Sequence, residues 1–384
     1  MIYLDHNATT PLDPAVLEAM LPYLREHHGN PSSVHAAGQA ARRGIDRARR
    51  QVAELVGASE SEVTFTSGGS EADNLALAGV MQAAVGASEP ARRELIVSRI
   101  EHPAVLEHAA ALEARGFVVR RLEVTAAGLV DPEALRALVC EQTALVSVMY
   151  ANNETGVIQP VKEVGEIAHA AGAKFHCDAV QAFWKLALKP KEIGADLMSL
   201  AGAKFGGPKG TGLLYNEMTN RISPVIVGGP QEWGYRAGTE DMSGMAALAT
   251  AMELSEAERE KIWPRVEKIR DAMEERIIDG LGAQVRINGK GAPRLPNISN
   301  ISFLEIEGQA LAIELGEQGY CVGLGSACAP GETDPSHVLA AMGLSWEDAI
   351  GCIRVSFGPD ITAEQANRLA DLCVANYKHL KGIG

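Results

Sequence analysis

The chain has 384 residues, 46% of them apolar and 22% charged, the balance of a soluble globular protein with two or three domains, or one large domain with an appendage. Thirty-five Lys and Arg against 49 Asp and Glu leave a net charge of −14, which argues against nucleic-acid binding, since that needs a basic face. No apolar run is long enough to span a membrane, and the N-terminus "MIYLDHNATTPLDP" lacks the basic start and apolar core of a signal peptide; six scattered cysteines without a CxxC pair fit reduced thiols in the cytoplasm better than a disulfide framework or a metal site.

The first 14 residues read as extended chain packed near a site, followed by helices over about 14–26 and 35–56. From about 62 to 215, apolar β-branched runs ("EVTFTS", "ELIVSRI", "FVVRRLEV", "ALVSVMY", "KFHCDAV") alternate with amphipathic stretches such as "AVLEHAAALEARG" and "PVKEVGEIAHAAG", both closed by glycine. That alternation predicts an α/β fold with a mostly parallel sheet covered on both faces, so ligands are expected beyond the carboxyl ends of the strands. After about 240 comes a long helical stretch, then "NISNISFLEI", a helix around 308–318, "YCVGLGS", a helix near 335–342, "CIRVSFG" and a last helix from 362. The expected division is a large α/β domain over 15–255 and a small α+β domain made of 1–14 plus 256–384.

Chemistry-bearing residues fall at the strand ends. "FTSGGSEADNLALAGV" is strand, glycine turn, helix, and the free N–H groups of such a start attract an anion, phosphate above all. The alternative is a simple capped helix start, Ser70 with Asp73 three residues on. Neither GxxxxGK[ST] nor GxGxxG occurs, which removes support for ATP or a dinucleotide. "KFHCDAVQAF" puts Asp178 and Gln181 just beyond a buried strand; an acid there either caps the strand end or pairs with a protonated pyridine nitrogen. Lys204, at the end of another apolar run, is a solvated loop residue or a Schiff-base lysine. His102 precedes a helix at the same sheet edge, and "YANNETG" offers Asn152, Asn153 and Glu154 for ligand contact or a turn. Cys328, between a strand and a Gly/Pro-containing loop, is either a small apolar residue or a nucleophile. Arg354 is a lone cation in an apolar strand and needs a partner, a substrate carboxylate or a structural acid.

With these residues in place, the chain resembles the NifS/IscS-type cysteine desulfurases of the class V aminotransferase family. The resemblance runs in order through "YLDHNATTP" (3–11), "GNPSSVH" (29–35), "FTSGGSEADNLA" (65–76), "EHPAVL" (101–106), "YANNETGVIQP" (150–160), "DAVQA" (178–182), "KFGGPKGTGLLY" (204–215), "RAGTED" (236–241), "NISNISF" (297–303), "GSACAPG" (325–331), "PSHVLAAMGL" (335–344) and "IRVSFG" (353–358). It implies a homodimeric enzyme of fold type I dependent on pyridoxal 5'-phosphate, converting L-cysteine to L-alanine. Sulfur would pass through a persulfide on Cys328 to an acceptor protein in iron–sulfur or thio-cofactor assembly. By position, Lys204 would carry the Schiff base, Asp178 would pair with the pyridine nitrogen, Gln181 would bond the ring hydroxyl and His102 would stack on the ring. Gly69 and Ser70 would hold the phosphate, with Thr239 reaching in from the neighbouring subunit; Asn153 and Arg354 would hold the substrate carboxylate; no metal is implied.

The sequence departs from that pattern before the lysine. Where the family carries Ser-x-His-Lys or Ala-x-His-Lys, this chain has Ala201-Gly202-Ala203-Lys204, and two phosphate donors of the serine–histidine form are missing. Trp184, which stands where glycine is common, Tyr235 or a water is expected to fill the gap beside Ala203. A selenocysteine or C–S lyase activity, and a non-catalytic scaffold that binds assembly partners, are the competing readings.

Overall fold

The computed structural model describes residues 1–87, 92–324 and 335–382. The chain opens with a short strand, β1 (Ile2–Leu4), and an extended segment that ends at the cap of helix Pro14–Arg25, where the Asp13 carboxylate accepts the N–H of Ala15. A second helix, Ala36–Val56, closes on Gly57 at a φ of 69°, the left-handed conformation that glycine adopts without cost.

Seven strands then build the large sheet: β2 (Val63–Thr66), β3 (Glu94–Ser98), β4 (Val118–Leu122), β5 (Thr143–Ser147), β6 (Lys174–Asp178), β7 (Leu197–Ala201) and β8 (Gly212–Asn216), in the order β2-β8-β7-β6-β5-β3-β4. The run β4-β3-β5-β6-β7 is parallel; β8 lies antiparallel to both β7 and β2. All but β4 are buried nearly throughout, as expected of a sheet covered on both faces. Helix Gly69–Ala87 packs across one face; on the other, helix Val161–Ala170 packs on β6 and Ala36–Val56 on β2.

Helix Met242–Leu281 runs 40 residues, packing on helices Pro14–Arg25, Ala36–Val56 and Ala363–Leu380. The expected boundary at 255/256 falls inside it, so a helix rather than a loop connects the two sheets. The second sheet has strands β9 (Val285–Ile287), β10 (Ile298–Phe303), β11 (Tyr320–Leu324) and β12 (Cys352–Ser356), in the order β1-β11-β12-β10-β9, with only β1 and β11 parallel. The N-terminal strand β1 therefore belongs to the smaller sheet. No helix among the described residues is long and apolar enough to cross a membrane.

Candidate active site

The carboxyl ends of β2, β3, β5, β6 and β7 converge on a cavity of about 290 Å³, whose lining includes Gly69, Ser70, His102, Asn153, Asp178, Gln181, Lys204 and Arg354. Eight residues singled out from the sequence thus meet in one place. Cys328 lies outside the described residues. Thr239 is exposed and absent from this lining.

Lys204 sits in the glycine-rich connection between β7 and β8. Its Nζ donates to the carbonyls of Asn7 at 2.8 Å and Ala8 at 2.6 Å. The connection is docked on the N-terminal segment: Thr10 donates through its N–H and its hydroxyl to the Ala203 carbonyl, and its hydroxyl accepts the N–H of Gly206. Gly206 and Gly210, at φ of 79° and 81°, supply left-handed backbone that only glycine takes easily.

Asn7 is the hub that sequence reasoning missed. Its carbonyl also accepts from Gln181 Nε2 at 3.0 Å; its Nδ2 donates to the Asn153 carbonyl at 2.9 Å; its Oδ1 accepts from Asn297. An asparagine in an extended segment carries no local signal of such a role, and the motif "YLDHNATTP" was the only hint.

Asp178 closes β6 and is buried, with Oδ1 accepting the Val180 N–H at 2.9 Å. Burial pushes its carboxyl up, opposed by the charges of His102 and Lys204. Below it lie two more acids. Burial holds Glu101 up to about 8, and burial together with the Asp178 charge holds Asp73 well above the carboxylate range. Asp73 is buried 3.6 Å from His176 and is no helix cap; the N–H of Ser67 is met instead by Glu71. His176, locked between the hydroxyls of Ser147 and Ser199, is driven down to about 3 by burial and stays neutral.

His102 caps helix Pro103–Ala114, its Nδ1 accepting the Ala104 N–H at 3.1 Å. That bond places the neutral ring's proton on Nε2, and burial lowers the pKa. Asn152 builds the turn after β5, its Oδ1 accepting the N–H groups of Glu154 and Thr155, which leaves Asn153 at the cavity.

Arg354 comes from β12. Its Nη2 donates to Asp5 Oδ1 at 2.7 Å, Nη1 to the Asn153 carbonyl at 3.3 Å, and Nε is buried without a partner among the described residues. The structural acid expected as one alternative exists, and it is Asp5; Arg354 nonetheless lines the cavity. Gly323, opposite Arg354 in register, makes room for the pair: a Cβ there would lie 2.6 Å from Asp5 Oδ1.

Neither Trp184 nor Tyr235 lines the cavity. Trp184, at a φ of 76°, turns away to stack edge-on against Trp263, and Tyr235 packs on the apolar layer under helix Gly69–Ala87. The positive φ explains why glycine suits that position. Beside it Lys185 is buried, its Nζ donating to the Lys204 carbonyl at 3.1 Å and facing the Trp184 and Trp263 rings; burial, then the Lys204 charge, brings it down to about 7.

The sequence matches the aminotransferase class-V family over residues 2–369. The chain belongs to that family. It is 41% identical over 383 residues to a cysteine desulfurase of Trichormus azollae, an alignment covering 100% of this chain and 94% of that protein. Among solved structures, a NifS-like protein superposes with a TM-score of 0.90 at 36% identity, covering 99% of this chain and 100% of that one. SspA in complex with cysteine superposes with a TM-score of 0.81 at 33% identity, covering 94% and 99%. The expected α/β fold of type I, enzyme class and pyridoxal-phosphate dependence hold for a class-V aminotransferase of this architecture.

The residues present fit the cofactor of class-V aminotransferases. Gln181 Oε1 is buried beside the cavity without a partner among the described residues. A Cβ on Gly69 would fall 2.8 Å from Val180 Cγ2, so the first turn of the helix presses against the strand end and leaves its amide groups to an anion. A buried acid, a lysine and a phosphate cradle are the donor set that pyridoxal phosphate requires.

Proposed function

We propose that this class-V aminotransferase is a cysteine desulfurase, converting L-cysteine to L-alanine and passing the sulfur through Cys328 to an acceptor protein. The observation that supports it is the convergence of Lys204, Asp178, His102 and Gln181 with Asn153 and Arg354 on one cavity. Lys204 would hold the cofactor covalently, Asp178 its ring nitrogen, Gln181 its ring hydroxyl and the Gly69–Ser70 amides its phosphate. When bound, the cofactor supplies an electron sink for the pair left on the substrate α-carbon.

Arg354 and Asn153 orient the substrate carboxylate, and Lys204 Nζ stands where a proton can be moved between substrate and site. His102, neutral with its proton on Nε2, offers one flat face to a ring and one proton donor. The Cys328 thiolate attacks the substrate sulfur. A sulfur–sulfur bond forms, the carbon–sulfur bond breaks, and its electron pair goes to the β-carbon, which takes a proton. The sulfur is oxidised to the persulfide level and the carbon is reduced, so one thiol and one cysteine yield one persulfide and one alanine with no outside oxidant.

Thr239, exposed and outside its own chain's cavity, suits a residue that serves a neighbouring site in a homodimer. The five described cysteines are all unpaired, in keeping with a reducing, cytoplasmic setting and an acceptor in iron–sulfur or thio-cofactor assembly. The test is incubation of the cofactor-loaded protein with L-cysteine and a thiol reductant. Equimolar alanine and sulfide from the natural chain, lost in Cys328→Ser, are expected; alanine release undiminished in Cys328→Ser points to a lyase instead.

A further inference from the structure

The turn that presents Asn153 sends the next side chain, Glu154, away from solvent to 3% exposure. There its carboxylate accepts from the Ser336 hydroxyl at 2.5 Å. The same hydroxyl oxygen accepts the N–H groups of Val338 at 3.1 Å and Leu339 at 3.3 Å, capping helix His337–Ala341. The next residue, His337, places Nε2 3.0 Å from the carbonyl of Glu101, which directly precedes His102. Two consecutive residues, Ser336 and His337, therefore fasten this helix to the two loops that supply Asn153 and His102. Cys328 stands eight residues before Ser336 in the sequence.

The Ser336–Glu154 contact is buried, whereas His337 is exposed. Ser336 is 3% exposed, and its single hydrogen can go in one direction only once two backbone donors occupy its lone pairs. Burial pushes the Glu154 carboxyl up to about 7, against the opposing effects of the Ser336 bond and the Arg354 charge. A neutral group of the same shape can therefore accept the same hydrogen bond.

We propose that Glu154 is a positioning residue for sulfur transfer: through Ser336, eight residues after Cys328 in the sequence, it fixes the start of helix His337–Ala341 in register with the Asn153 turn. This rests on the desulfurase reading above. It assigns Glu154 no contact with substrate, and it separates the thiol-dependent step from the cofactor-dependent ones.

The test compares Glu154→Ala, Glu154→Gln and Ser336→Ala in the cofactor-loaded chain, with two readouts. One is exchange of the α-proton of L-alanine with deuterated water, which needs the cofactor site and no thiol. The other is the rate of persulfide formation from L-cysteine. A misplaced nucleophile costs about tenfold or more in rate, so Glu154→Ala and Ser336→Ala are expected to lose that much persulfide formation while alanine exchange stays within about twofold of the natural chain. Glu154→Gln is expected to rescue most of the loss, and the double alanine variant to be no worse than either single one, since both remove one shared contact. The rate of Cys328 alkylation by iodoacetamide, read on its peptide, is expected to change in the alanine variants, without turnover. Equal loss of exchange and persulfide formation, or loss of neither, overturns the inference. A natural chain that exchanges alanine yet releases none from cysteine overturns the desulfurase reading, and this inference with it.

Discussion

Lys204 Nζ and Gln181 Nε2 donate to the same oxygen, the carbonyl of Asn7, at 2.8 and 3.0 Å. The residue placed to hold the cofactor and the residue placed to read its ring hydroxyl are thus set by one backbone group from the segment that follows β1. Asn7 in turn is held by its own side chain, through Asn153 and Asn297. Replacing Asn7 by Asp removes the donor to the Asn153 carbonyl and buries a charge. A loss of roughly 1–3 kcal/mol is expected for the unmet buried partner, measured as a lower unfolding midpoint, with faster cofactor release on dilution.

Gly69 tests the phosphate cradle. Ala at this position would force its Cβ to 2.8 Å from Val180 Cγ2, closer than such atoms approach, and Val180 is too stiff at χ1 to yield cheaply. Gly69→Ala is expected to weaken cofactor binding by about tenfold, or 1.4 kcal/mol. Adding Val180→Ala should restore most of it; independent, additive losses in the double variant would show that the two side chains do not meet.

Ala201 lines the cavity and its Cβ lies beside the Gly69 position, whereas Ala203 is not part of the lining. A hydroxyl at 201 can reach the phosphate region from where Ala201 stands. Ala201→Ser is expected to tighten cofactor binding by about 1.5 kcal/mol or more, the worth of a hydrogen bond to a charged group. Equilibrium titration with pyridoxal phosphate reads the change, and unchanged affinity would place the phosphate away from residue 201.

Lys185 sets a pH dependence. Its pKa falls to about 7 in the folded chain from a reference of 10.5, so below pH 7 the fold carries the full cost of a buried charge. As pH rises from 7 towards 10.5 the unfolded chain still binds the proton that the folded chain has lost, and stability rises by up to about 1.4 kcal/mol per unit. Lys185→Met is therefore expected to raise the unfolding midpoint most at pH 6–7, with the gain shrinking by pH 10. A gain that does not change with pH would show that Lys185 is neutral throughout.

The strand ends were legible because each combines a buried apolar run with an abrupt polar or glycine-rich turn, and that pattern is local. Asp178 at the end of β6, Lys204 after β7 and His102 after β3 announce themselves in this way. Asp5, Asn7 and Ser336 do not, because their roles depend on partners 349, 197 and 182 residues away: Arg354, Lys204 and Glu154. Arg354 shows both sides. Its burial in an apolar strand called for an acid, yet nothing in the sequence between them says that the acid is Asp5. The edge-on packing of Trp184 on Trp263, at a φ of 76°, is hidden for a related reason: backbone sign is not written in composition.

The most direct measurement is a single turnover of the cofactor-loaded chain with L-cysteine in the absence of reductant, followed by peptide mass analysis and alanine quantification. One added sulfur atom on the peptide carrying Cys328, with an equal amount of L-alanine, is the expected result. Alanine or pyruvate formed while every Cys328 peptide stays unmodified would contradict sulfur transfer through Cys328.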